Sequence, residues 1–209
     1  MEERKLTEKE SLEVITSMIA RTKQRYIGNG NIMFMWGYLV TIVAILVWVM
    51  IAVTAKGYWN FLWFAIPVIG FPLTAVMAKK QQRQSGIKTF SDKVTSQLWT
   101  IAGLSEIAIT VACICIQCYT HSGACWKAML AYTLVAMPLT EIAQGLFIKE
   151  KSLTCGGIVG LVVGIITVCC ISAGIPLFAY WYMPLYILAF VAMMIVPGHI
   201  LNRKAHQEK

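Results

Sequence analysis

Two apolar runs decide the fold: VTSQLWTIAGLSEIAITVACICIQCY, Val94–Tyr119, and WKAMLAYTLVAMPLTEIAQGLFI, Trp126–Ile148. Each is near the ~20 residues that an α-helix needs to cross a bilayer. Each also carries an acid, Glu106 in the first and Glu141 in the second. A carboxyl group at bilayer depth costs on the order of 3 kcal/mol even on lenient insertion scales, so such a residue is kept for packing or for function. Apart from Lys127 at the start of the second run, neither contains a Lys, Arg or Asp that could neutralise it.

Four more runs of similar length flank these two, at about 32–54, 58–78, 153–173 and 175–200. Hydrophobic residues make up 58% of the 209 and charged residues only 13%, gathered in short segments between the runs. The expected fold is therefore an all-α polytopic membrane protein with six transmembrane helices over residues 31–202. Helices satisfy their backbone polar groups internally, which lipid cannot do. Residues 1–30 precede this domain, a short basic tail follows at 203–209, and the lipid bilayer is the first partner.

Basic residues set the orientation. The N-terminal segment carries Arg4, Lys5, Lys9, Arg21, Lys23 and Arg25, and the loop after the second run carries Lys79, Lys80, Arg83, Lys88 and Lys93. Lys149, Lys151, Arg203 and Lys204 fall on the same side, against Lys56 and Lys127 on the other. This bias puts both termini in the cytoplasm. The net charge of +8 is thus explained at span ends, and nucleic acid is not expected as a partner. No cleavable signal is expected before the first span.

Thr7 and Glu10 form a capping-box pattern, followed by Leu12, Ile15 and Ile19 at helical spacing. The expectation is an amphipathic cytoplasmic helix ending at Gly28-Asn29-Gly30. It would lie against the membrane or the bundle, or else residues 1–27 would dock a cytoplasmic protein. Three consecutive hairpins are expected. Phe71-Pro72-Leu73-Thr74 resembles Met137-Pro138-Leu139-Thr140, Val196-Pro197 lies near the end of the last span, and Trp36 matches Trp99, which suggests a weak internal repeat.

On the third span Ser96, Thr100, Gly103, Glu106, Thr110, Cys113 and Gln117 recur at spacings of three and four, and so share one face. Thr133, Thr140, Glu141 and Gln144 form a shorter stripe on the fourth. Counting from the inner ends puts Glu106 ~18 Å deep and Glu141 ~11 Å deep. Glu106, Glu141, Thr110, Thr140 and Gln144 are therefore the candidate intramembrane polar site, with the two acids sharing one pocket. Such a pocket would clamp helices or bind a proton or cation. Gly156, Gly160 and Gly164 form a small-residue stripe for close helix packing, with an internal partner or a second copy of the chain.

Of the seven cysteines, Cys118 and Cys125 flank a short outer loop and are the candidate disulfide. Their spacings fit no zinc pattern, so no metal and no cofactor are expected. No His-Glu-x-x-His, phosphate-binding glycine loop or Gly-x-Ser-x-Gly occurs, so no catalytic residue is expected.

Glu10-Ser11-Leu12, Trp36-Gly37 and Pro197-Gly198 resemble motifs of a family of small six-span bacterial inner-membrane proteins. Those proteins are often encoded near winged-helix transcriptional regulators. The resemblance implies a regulatory connection and carries over no site residue. The expectation is a non-enzymatic regulatory or sensory membrane protein. The alternative is a small transporter, or a transporter subunit, using Glu106 and Glu141.

Overall fold

The structure is a computed structural model and describes residues 7, 9–14, 16–17, 30–85, 90–177 and 179–207. Among these it is all-helical, with six helices long and apolar enough to cross a membrane. The spans are α1 (Asn31–Thr54), a 3-10 segment (Gly57–Phe64) running into α2 (Ala65–Ser85), α3 (Phe90–Thr120), α4 (Cys125–Phe147) and α5 (Lys151–Ser172). The sixth span is composite: α6 (Ala179–Phe190), a π-helical turn (Val191–Ile195) and α7 (Val196–Gln207). The helix thus continues through most of the basic tail expected at 203–209.

α4 packs most extensively on α5, and α5 on the π turn; α1 packs on α6, the π turn and α2. α2 and α3 lie at the periphery and expose Val68, Val76, Ile101, Leu104 and Val111, an apolar surface suited to lipid. The core gathers Val40 and Ala44 of α1, Leu134 of α4 and Val163 of α5 around Tyr182, Tyr186, Phe190 and Met193 of the last span.

The α5 contacts follow from two prolines. A proline inside a helix supplies no N–H to the carbonyl four residues earlier and crowds it. Pro138 thereby frees the Leu134 carbonyl, and Pro197 frees that of Met193. α5 lays glycines on both. A Cβ on Gly164 would overlap Leu134 O, and one on Gly156 would stand 2.8 Å from Ala192 O and 3.2 Å from Met193 O. Gly160 lies between Pro138 and Met193. The glycine stripe thus has its partners inside the chain, where close Cα–H approach to a carbonyl compensates part of the lost bond. At Pro197 the ladder lengthens instead: the Val196 N–H bonds to Val191 O, five residues back, which makes the π turn.

Each of the first two hairpins is tied by an indole. Trp36 Nε1 donates to Thr74 Oγ1 (2.9 Å), two residues after Pro72, and Trp99 Nε1 donates to Gln144 Oε1 (2.7 Å), six after Pro138. The α5–α6 turn uses Gly174 in the left-handed region (φ 69°), with the Ile175 N–H reaching back to Cys170 O.

At the N-terminus the Thr7 and Glu10 main-chain N–H groups each reach the other's side chain, at 2.9 and 3.3 Å. The first of these bonds holds the Glu10 carboxyl below its ordinary range. Helix is described at 9–14 and 16–17, with Leu12 and Val14 exposed. Ile15, Ile19 and most of the proposed docking segment 1–27 lie outside the described residues.

Candidate functional site: the intramembrane acids

α3 and α4 run antiparallel, joined by a ladder of polar contacts along one face. From the end nearer the basic loops it reads Trp99–Gln144, Glu106–Thr133, Thr110–Met129, Cys113–Cys125 and Gln117–Trp126. The Thr133 hydroxyl lies 2.9 Å from Glu106 Oε2 and 3.0 Å from Met129 O, sharing its proton between them. Glu106 Oε1 is buried without a hydrogen-bond partner among the described residues.

Glu141 stands apart from this ladder. It lies on the buried stripe Ala131, Leu134, Pro138, Glu141 and Gly145, which runs along α5. Its neighbours on the stripe touch α5: Pro138 meets Gly157 and Gly160, and Gly145 meets Thr154. The residue is 0% exposed, and among the described residues neither carboxyl oxygen has a hydrogen-bond partner. A buried polar group without a partner is costly, and its retention calls for an explanation.

The contact register separates the two acids. Glu106 faces Thr133, eight residues from Glu141 along α4, about 12 Å at 1.5 Å per residue, and Glu141 is turned about 80° away from Thr133 around the axis. They therefore occupy two levels with different neighbours, rather than one level of a common stripe. Of the other candidate residues, Gln144 accepts from Trp99. Thr110 and Thr140 turn their hydroxyls back to Glu106 O and Ala136 O, four residues earlier. Thr110 also approaches the Met129 sulfur at 3.7 Å.

The cysteines are free, and the cysteine that Cys125 meets is Cys113; Cys118, five positions on, is exposed. Among the described residues no group of three or more His, Cys, Asp or Glu comes together to hold a metal.

Sequence reasoning missed Glu150. It caps α5, accepting from the Ser152 hydroxyl at 3.0 Å, and each of its two oxygens accepts from Lys204 (2.7 and 2.9 Å), fastening the α4–α5 turn to α7. Burial pushes this carboxyl up, but the Lys204 and Ser152 hydrogen bonds outweigh it and hold the group below its ordinary range. An acid just before a span's first turn was the available signal. Also missed was the buried pair Thr167 and Tyr182, whose hydroxyls lie 3.1 Å apart.

No protein-family model matches the chain, and neither the curated proteins nor the solved structures give a match.

Proposed function

We propose that the chain is a non-enzymatic regulatory or sensory membrane protein whose helix packing responds to proton occupancy of Glu141. Its termini and basic loops would face the cytoplasm of a bacterium. One observation carries this reading: Glu141 is fully buried with both oxygens unpartnered, on the face of α4 that meets the α5 glycines. An unpaired carboxylate there would cost several kcal/mol. The acid therefore fits the closed contact with its proton on, and loses it only as α4 and α5 part and water enters. Proton binding and helix packing are then linked, and each biases the other. Two shallow surface hollows, one at Lys9–Ser17 and one at Trp48–Tyr180, touch neither acid.

A second reading has its own support. Glu106 keeps one buried oxygen without a partner, at a level about 12 Å from Glu141 along α4. Two such stations at different depths are what a small proton- or cation-coupled transporter would use.

The test is the pH profile of thermal unfolding in lipid vesicles. Wild type is expected to lose stability toward alkaline pH, and Glu141→Gln to flatten that loss. Superimposable profiles would overturn the proposal. Proton-linked uptake that Glu106→Gln abolishes would favour the transporter.

A further inference from the structure

Cys113 lies on the α3 face turned to α4, and Cys125 is the first residue of α4. The Cys113 thiol donates to Cys125 O at 3.3 Å, and the Cys125 thiol donates to Cys113 O at 3.4 Å. Residues whose thiols each reach the other's carbonyl stand face to face. The register is held on either side, by Thr110 against Met129 and by the Trp126 indole on Gln117. A disulfide requires close Cα atoms and converging Cβ vectors. The reciprocal thiol–carbonyl contacts bring the two residues close enough for us to infer that rotation about χ1 joins their sulfurs.

We propose that Cys113 and Cys125 form an oxidisable dithiol that closes to a disulfide across the α3–α4 hairpin, with a low-molecular-weight disulfide as oxidant. Cys125 is half-buried and Cys113 is 3% exposed, so the reagent reaches Cys125 first. The Cys125 thiolate attacks the reagent's S–S bond; a mixed disulfide forms and one thiolate leaves. The Cys113 thiolate then attacks the Cys125 sulfur, forming the Cys113–Cys125 bond and expelling the second thiolate. The two cysteine protons end on the two released thiols, and the two electrons the protein gives up reduce the reagent. Closure replaces the reciprocal thiol–carbonyl bonds with a covalent tie, two helical turns along α3 from the Glu106–Thr133 contact.

The full chain in lipid vesicles is treated with oxidised glutathione, alkylated with N-ethylmaleimide, digested and weighed. The expected product joins the Cys113 and Cys125 peptides, weighs two hydrogens less than their sum, and is reversed by dithiothreitol. Cys118→Ser should leave that linkage in place, and Cys125→Ser should abolish it with Cys113 still reduced. The proposal is overturned if Cys113 and Cys125 are recovered separately, alkylated or glutathione-bound. Linkage of Cys125 to Cys118 instead, or loss of the 113–125 linkage in Cys118→Ser, also overturns it.

Discussion

Gly164→Ala should destabilise the bundle, while Gly103→Ala, the same chemical change in another span, should not. In a helix interior alanine is favoured over glycine by about 1 kcal/mol. At Gly103 nothing offsets that gain, because the added methyl would meet only the Phe71 ring, at 3.6 Å. At Gly164 it would overlap the Leu134 main-chain carbonyl, which cannot swing aside as a side chain can. The α4 and α5 backbones would have to part locally by roughly 1 Å, a gap that forfeits a quarter to a half of each atom pair's attraction. With about 0.1–0.2 kcal/mol per pair and a few tens of pairs along this contact, the loss is about 1–3 kcal/mol. The Cα–H contact to the freed carbonyl adds about 0.5–1 kcal/mol. Net of the propensity gain, Gly164→Ala should cost about 0.5–3 kcal/mol, a fall in Tm of roughly 1–12 °C for a chain of this size. Thermal unfolding of the two variants in one detergent measures the difference. A Gly164→Ala protein as stable as wild type, or a Gly103→Ala protein less stable than Gly164→Ala, refutes the close-approach argument.

Lys204→Ala should cost about 1 kcal/mol at neutral pH, since Lys204 is itself 45% exposed and solvent screens the pair. The folded state holds Glu150 below its unfolded value, so the clamp's contribution is full above about pH 4.3. It is lost as pH falls through the lowered folded value; wild-type Tm followed downward from pH 6 should therefore drop more than that of Lys204→Ala. Thr133→Val removes the hydrogen-bond donor to Glu106 Oε2, so an unfolding loss of about 1–3 kcal/mol is expected, and a neutral result would deny the contact any clamping role. Trp99→Phe leaves Gln144 Oε1 without its donor and should cost about 1 kcal/mol by the same assay, whereas Trp59→Phe, whose indole bonds to Thr54 near an end of the 3-10 segment, should cost less.

The six spans were legible because length and apolarity suffice to find them, and the Thr7–Glu10 box because capping is local. Less legible was the register and rotation of one helix against the next. Depth counted from the ends of the apolar runs set Glu106 only ~7 Å beyond Glu141, close enough for one pocket. But α3 begins at Phe90, a full turn before the apolar run, because polar residues continue a helix as readily as apolar ones. The Glu106–Thr133 contact then fixes a register that the count could not. Cys118 neighbours Cys125 along the loop, yet five residues of helix turn it about 140° from Cys113, away from α4. Pro138 and Gly164 were each visible as residues, but the fit of one's freed carbonyl to the other's missing side chain is a property of the pair.

The π turn at Val191–Ile195 has a consequence for how the last span can serve two neighbours. One residue more than an α-helix would use sets the phase of everything beyond it back by about 100°. Without that slip, Gly198 and Leu201 would not face Gly30, the residue before α1, along the line begun by Tyr186 and Phe190. The span thus has two faces in series, joined by a dislocation that Pro197 stabilises. Deleting one residue from 191–195 would restore a regular ladder and swing His199 off Tyr38, which it now meets at 2.9 Å. An insertion or deletion here therefore acts as a rotation of the whole C-terminal segment, the Lys204 clamp on Glu150 included, rather than as a local defect.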